Sequence, residues 1–166
     1  MRFALALVLL AGCIDLGGPS EEPPEPTSRP APVERFEARV TRITDGDTIV
    51  VELDGRQERV RYIGIDTPET SNSPRGPEPF AEEATRANRE WVEDQVVQLE
   101  LDTETRDRFG RLLAYVFLSD GTFVNARLLE EGYARTLTIP PNVRYADEFR
   151  TLESDARTNA RGLWAR

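Results

Sequence analysis

The 166-residue chain contains no histidine, no lysine and a single cysteine, so all 21 of its basic residues are arginine. Without histidine, neither a Ser-His-Asp triad nor a Cys-His pair can be built. The histidine and cysteine ligands of zinc hydrolases are excluded for the same reason. The groups that remain for acid-base chemistry are carboxylates, tyrosine, arginine and metal-bound water.

The chain also lacks an apolar run long enough to cross a bilayer as a helix. Its N-terminal apolar run covers only residues 3–10, follows Arg2, and leads into the sequence LAGC that ends at Cys13. This pattern predicts a lipoprotein signal peptide over residues 1–12, with Cys13 as the lipidated first residue of the mature chain. The alternative is a buried N-terminal strand or helix with an incidental cysteine.

Residues 17–32 carry six prolines and three glutamates. Proline removes backbone donors and like charges repel, so this composition favours an extended, solvated spacer. We therefore expect residues 13–34 to tether a domain of residues 35–166 to an extracytoplasmic membrane surface. Because Ile14 rather than aspartate follows Cys13, the outer membrane is expected if the host has one. The sole cysteine lies at the head of this tether, which argues against disulfides in the domain.

The remaining length suits one domain with a modest core. Strands alternate between apolar and polar residues with a period of two, whereas amphipathic helices follow a period of 3.6. These patterns predict strands at 36–44, 49–53, 58–65, 96–101 and 112–118, and helices at 80–95, 124–131 and 146–161. Patterning alone supports an α+β domain that begins with a three-stranded meander.

Acidic residues cluster at the ends of the first strands, next to an arginine. Within 25 residues the chain contains DGDT at 45–48, Arg61 and IDTPE at 65–69. Carboxylate oxygens without sulfur or imidazole are the ligands that Ca²⁺ and Mg²⁺ prefer. Aspartate is also common in tight turns, so a purely structural role is the alternative for each residue.

The ordered motifs resemble those of the staphylococcal nuclease (thermonuclease) family. The matching stretches are DGDT at 45–48, VRYIGIDTPE at 60–69, GPE at 76–78, DRFGRLLAY at 107–115, VN at 124–125, GYA at 132–134 and ARGLW at 160–164. The resemblance implies a five-stranded Greek-key β-barrel, the OB-fold, with three helices. It also implies a calcium-dependent nuclease that cleaves the P–O5′ bond of DNA and RNA and leaves 3′-phosphates.

By the same resemblance, Asp47, Asp66 and the backbone carbonyl of Thr67 would bind the metal, with Ca²⁺ preferred to Mg²⁺. Arg61 would bind the phosphate through its planar fork of donors, which gains most as charge builds in the transition state. Glu69 would act as general base or position the attacking water. Arg61 lies five positions before Asp66, so the two project from opposite faces of a strand unless the strand kinks near Gly64.

The resemblance further implies a second phosphate arginine, Arg111, and an aromatic contact to the substrate at Phe109. Two departures from the family concern the substrate. The loop at 70–75 is shorter than in the founding nuclease, and the segment 136–140 has no tyrosine where that protein has nucleotide-contacting ones. Base stacking is therefore expected to be weaker, or displaced onto Phe109 or Tyr145.

Net charge opposes strong binding of nucleic acid. The chain carries −9, and residues 35–166, with 19 arginines and 25 acidic residues, carry −6. Nucleic-acid binders usually present basic surface, because phosphate neutralisation supplies much of their affinity. A metal ion and two arginines can still create a local positive focus. We expect a monomer, and the alternative function is a noncatalytic OB-fold module that binds oligonucleotide, saccharide or protein.

Overall fold

The computed structural model describes residues 34–70 and 76–165. The predicted signal peptide, Cys13 and all of the predicted tether except Glu34 lie outside the described residues, as do residues 71–75 of the shortened loop. In the part of the chain that is described, no helix has the length and apolar character needed to cross a membrane.

The described residues form seven strands and three α-helices. In chain order they are β1 (Arg35–Ile43), β2 (Thr48–Leu53), β3 (Arg56–Tyr62), β4 (Gly64–Asp66), α1 (Ala81–Val92), β5 (Val96–Glu100), β6 (Leu112–Leu118), α2 (Val124–Glu130), β7 (Arg135–Leu137) and α3 (Ala146–Thr158). A short 3₁₀ turn follows at Gly162–Trp164. The predicted helices are present, but α1 and α3 end three residues before the predicted ends.

Five strands close into a barrel in the order β1-β2-β3-β6-β5. Neighbouring strands are antiparallel except β3 and β6, which run parallel. Alternation along each strand turns one set of apolar side chains inward, and Val40, Val51, Val60, Leu99 and Val116 are fully buried there. The predicted five-stranded barrel with three helices is confirmed.

The chain turns sharply out of the barrel at Gly64, whose φ of 81° is in the left-handed region that glycine adopts readily. A Cβ atom at this position would lie 2.5 Å from the ring of Phe149, so glycine also allows α3 to approach. After the turn, β4 pairs with β7 in a separate two-stranded sheet. The predicted kink is confirmed, whereas β7 was not predicted.

Candidate functional site

The loop between β1 and β2 presents Asp47 to the segment that follows β4. Its turn is closed by the backbone N–H of Thr44, which donates to the Thr48 carbonyl at 2.9 Å. The amide of Asp47 donates to Asp45 Oδ1 at 3.1 Å. A Cβ atom on Gly46 would lie 2.7 Å from Thr67 Oγ1, so glycine is needed for the two segments to touch.

Asp47 is buried, with 2% of its surface exposed. Its Oδ2 accepts hydrogen bonds from the Thr67 backbone N–H at 2.7 Å and the Thr67 hydroxyl at 3.0 Å. Its Oδ1 forms an ion pair with Arg61. A buried carboxylate requires partners of this kind, because an isolated charge would lose its hydration without compensation. The first loop and the Thr67 segment are therefore held together through one carboxylate.

Arg61 lies at the end of β3 with 14% of its side chain exposed. Its Nη2 donates to Asp66 Oδ1 at 2.6 Å and to the Ile65 carbonyl at 3.3 Å, while Nη1 contacts Asp47. The turn at Gly64 makes this possible by bringing Asp66 back over Arg61. One guanidinium thus bridges the two carboxylates for which a metal-binding role is predicted.

The donor atoms of this pair suit a hard cation. Asp47 and Asp66 converge on one positive charge and offer only oxygen, and Asp66 is 49% exposed at its side chain. Among residues 34–70 and 76–165, no group of three or more His, Cys, Asp or Glu side chains is arranged to hold a metal ion. Calcium accepts six to eight oxygens, including backbone carbonyls and waters, so two carboxylates and the Thr67 carbonyl fit its chemistry.

Glu69 lies two positions after Thr67 and is exposed. Partial loss of solvent around its carboxyl raises the pKa of Glu69 above its usual value, and the negative charge of Asp45 adds to the rise. Arg61 opposes it. The Glu69 backbone is fixed by a hydrogen bond of 2.9 Å from the Glu78 amide to its carbonyl. A carboxyl whose pKa is raised is a stronger base than an ordinary carboxylate and is better suited to accept a proton.

The pKa of Asp45 depends on the charges around the loop between β1 and β2. Burial raises the pKa of Asp45, while the positive charge of Arg61, hydrogen bonds from Thr48 and, more weakly, the charge of Arg111 oppose the rise. The charges of both predicted phosphate arginines therefore reach Asp45, and both arginines line one cleft.

Arg111 is positioned by Asp107 in a tight loop before β6. Asp107 Oδ2 accepts from Arg111 Nε at 2.7 Å, and its Oδ1 accepts from the backbone N–H groups of Phe109 and Arg111, each at 2.9 Å. Gly110 takes a φ of 77° inside this loop. Sequence reasoning missed Asp107 as a positioning residue, although an acid four positions before an arginine in DRFGR was a usable signal.

Arg61, Arg111 and Phe109 line an open cleft of about 450 Å³. Phe109 is 66% exposed, and the Arg111 guanidinium lies 5.6 Å from its ring centre. The lining of the cleft also includes the apolar residues Leu137 and Ile139, which are 39% and 58% exposed. Sequence reasoning missed both residues. The available signal was the presence of apolar residues in the segment 136–140, which has no tyrosine.

Tyr145 is not among the residues that line this cleft. Its hydroxyl donates to Glu100 Oε1 at 2.8 Å, and its ring packs edge-on against Tyr115 with centres 4.7 Å apart. Glu100 is fully buried and is also paired with Arg35 and Arg144. The structure therefore brings Phe109 to the two arginines for which phosphate binding is predicted, and it places Tyr145 in the packing of α3 against the barrel.

Comparison with known proteins finds a matching family and similar sequences. A family profile described as "Staphylococcal nuclease homologue" matches residues 59–166. The chain is 40% identical over 127 residues to the thermonuclease of Staphylococcus intermedius. This alignment covers 76% of this chain and 75% of that protein.

Two endonucleases of Bacillus subtilis are also similar. Identity to endonuclease YncB is 42% over 127 residues, covering 75% of this chain and 60% of YncB. Identity to the SPbeta prophage-derived endonuclease YokF is 40% over 135 residues, covering 80% of this chain and 45% of YokF. The match thus spans less than two thirds of each Bacillus relative.

Proposed function

We propose that this chain, which belongs to the staphylococcal nuclease homologue family, is a monomeric hydrolase that cleaves phosphodiester bonds of DNA and RNA. The observation that carries the proposal is the placement of Arg61 and Arg111 in one cleft, with the Asp47 and Asp66 carboxylates converging on Arg61. Its relatives are a thermonuclease and an endonuclease, which supports the same reaction class. In its finer form the proposal is cleavage of the P–O5′ bond, which leaves a 3′-phosphate.

Arg61 and Arg111 would bind the phosphate. Each guanidinium offers a planar fork that matches two phosphate oxygens, and such donors stabilise charge most where it develops in the transition state. Asp66 is half exposed, so Arg61 can exchange that contact for a phosphate while it keeps Asp47. Arg111 keeps one edge on Asp107 and leaves its remaining donors for the substrate.

Calcium is the proposed cofactor, and Asp47, Asp66 and the Thr67 carbonyl would hold it. When bound, the cation would neutralise charge on the nonbridging phosphate oxygens. Mg²⁺ is the less suitable ion, because it demands stricter octahedral geometry than two carboxylates and a loop carbonyl are built to impose.

Glu69 would act on the attacking water. Its raised pKa places it closer to neutrality than an ordinary carboxyl, as suits a general base, and its exposed position leaves room for water. A role in orienting the water without taking its proton is the alternative for the same residue.

The test measures cleavage of single-stranded DNA and RNA by the purified chain with Ca²⁺, with Mg²⁺ and with chelator. We expect calcium-dependent cleavage that Glu69→Gln and Arg111→Ala each reduce by at least about 100-fold, the scale of a lost transition-state donor or base. Arg56→Ala is the control, because Arg56 is exposed at the far end of β3. If the folded protein and all variants are inert but still bind oligonucleotide, the chain is a binding module.

Attachment to the cell envelope through Cys13 is a separate proposal, supported by the signal-like sequence at 1–13 and the proline-rich segment behind it. Two acyl chains on one cysteine would hold firmly where a single chain is marginal. Cys13→Ser is expected to move the protein from the membrane fraction to the soluble extracytoplasmic fraction of expressing cells. Equal membrane association of the variant would reject the lipid anchor.

A further inference from the structure

Two exposed arginines flank the site on the outer face of the barrel. The strand register pairs Arg42 of β1 with Val50 of β2, and pairs Val50 with Arg59 of β3. Arg59 precedes Arg61 by two positions on β3, so both side chains project from the same face. Arg42, Arg59 and Arg61 therefore occupy one side of the three-stranded meander.

A β-bulge explains why Arg42 faces outward. The pairing of β1 with β2 shifts between Val40 and Arg42. Val40 is fully buried and Ile43 is 7% exposed, so both point into the barrel, and the two residues between them are exposed. Simple alternation from Val40 would turn Arg42 inward; the extra residue at Thr41 places it on the outer face instead.

Both arginines have their charge available. Within residues 34–70 and 76–165, Arg42 and Arg59 form no ion pair, whereas Arg35, Arg61, Arg106, Arg111 and Arg144 each contact a carboxylate. In an acidic domain, two arginines without an ion pair give this face of the meander a local positive charge.

The positive region is limited to the end of the meander nearest the site. Glu52, two positions after Val50 on the same face, lies between Arg39 and Gln57 in the next row of the register. The row of Arg42, Val50 and Arg59 carries two positive charges, whereas the Glu52 row carries one charge of each sign. Polyanion binding is therefore favoured at the row beside Arg61.

We propose that Arg42 and Arg59 bind backbone phosphates of a single-stranded nucleic acid whose scissile phosphate lies at Arg61 and Arg111. The inference rests on the proposed nuclease function and adds a second binding surface to it. Residues two apart on a strand are separated by roughly 7 Å, and two strand spacings by roughly 10 Å, so the three guanidiniums can contact separate phosphates. Planar guanidinium forks suit phosphate recognition.

The test compares the double variant Arg42→Gln/Arg59→Gln with the matched double Arg56→Gln/Arg86→Gln, which removes two exposed arginines from the hairpin end and from α1. Binding of a labelled single-stranded oligonucleotide of about 12 nucleotides is measured by anisotropy in chelator across a salt series. A plot of log K against log salt has a negative slope. We expect the magnitude of this slope to decrease by about 1.4 in Arg42→Gln/Arg59→Gln, since each lost phosphate contact removes about 0.7. The matched double keeps the slope of the unaltered chain.

Glu52→Gln supplies a variant of opposite sign and is expected to tighten binding, because it removes the negative charge next to this row. Equal slopes for the two doubles, or no measurable binding by the unaltered chain, would overturn the proposal. The KM for the same oligonucleotide is measured with Ca²⁺ and should rise in the first double only. If binding shows the expected slopes but no protein cleaves, the nuclease proposal fails and the phosphate surface stands.

Discussion

The Arg61 guanidinium donates to the Asp66 carboxylate at 2.6 Å while its other terminal nitrogen contacts the buried Asp47. Asp47 lies in the loop between β1 and β2 and Asp66 ends β4, so a single side chain balances charge from two separate segments. Because Asp47 is 2% exposed, its charge depends on this partner and on the donors of Thr67. Arg61 therefore stabilises the fold of the site in addition to its proposed role of binding a phosphate.

Replacing Arg61 by glutamine should lower the free energy of unfolding by about 3 kcal/mol, because a buried carboxylate loses its counter-charge. Arg61→Lys should recover part of the stability but not the activity, since lysine lacks the planar fork. Urea unfolding measures the first effect and oligonucleotide cleavage the second. Added calcium should stabilise Arg61→Gln more than the unaltered chain, because the cation replaces the lost positive charge between the two carboxylates. If calcium stabilises neither protein, Asp47 and Asp66 are not its ligands.

Gly64→Ala tests the turn that brings Asp66 to Arg61. The left-handed backbone and the contact of a Cβ atom with Phe149 at 2.5 Å should together cost about 2–4 kcal/mol. Gly55→Ala is the control, because Gly55 has a φ of 74° and nothing within 4 Å of the added atom. It should cost only about 1–2 kcal/mol in urea unfolding. Similar losses in both would show that packing against Phe149 contributes little.

Asp107→Asn should reduce kcat by about 10- to 100-fold while the protein stays folded. An amide can accept hydrogen bonds from the backbone of the loop, but it lacks the charge that pairs with Arg111 Nε at 2.7 Å. Asp120→Asn is the matched control, since Asp120 accepts from the Thr122 amide at 2.9 Å in a different turn. Loss of activity in both would point to a general effect of the substitution.

The stability contributed by Asp107 should depend on pH. Partial burial alone would raise its pKa, but hydrogen bonds from Arg111 and Phe109 outweigh burial and hold the pKa of Asp107 below its usual value. A lowered folded-state pKa stabilises the protein above the unfolded-state pKa, and this stabilisation is lost as pH falls through the folded-state value. The difference in unfolding free energy between the unaltered chain and Asp107→Asn should thus be constant near neutrality and shrink below about pH 4. A constant difference down to pH 3 would contradict this.

Variants of Phe109 and Tyr145 should distinguish a side chain that contacts the substrate from one that contributes to packing. Phe109→Ala should raise KM by about 10-fold with little change in stability, because the ring is 66% exposed and a stacked base contributes about 1–3 kcal/mol. Tyr145→Phe should instead lower stability by about 1–2 kcal/mol, because it removes a hydrogen bond to the buried Glu100. Kinetics and urea unfolding of both variants are compared, and an unchanged stability with raised KM in Tyr145→Phe would return that residue to the substrate site.

Local patterns in the sequence determined the strands of the meander, the three helices and the acidic residues at the strand ends, because alternation, helical period and turn residues act over a few neighbours. Gly64 belongs to this group: the faces of Arg61 and Asp66 required a kink, and glycine was the residue able to supply it. The motifs likewise assigned Arg61, Asp66 and Glu69 to one predicted site.

Only the tertiary structure decided which distant segments meet. The pairing of β7 with β4 brings Leu137 and Ile139 to the cleft. The Tyr145 hydroxyl donates a hydrogen bond to the buried Glu100, which keeps Tyr145 out of the cleft. The bulge at Thr41 turns Arg42 outward, against the simple alternation of its strand. These features depend on contacts between residues far apart in the chain and on a one-residue shift of register, and neither leaves a signal in the local period of the sequence.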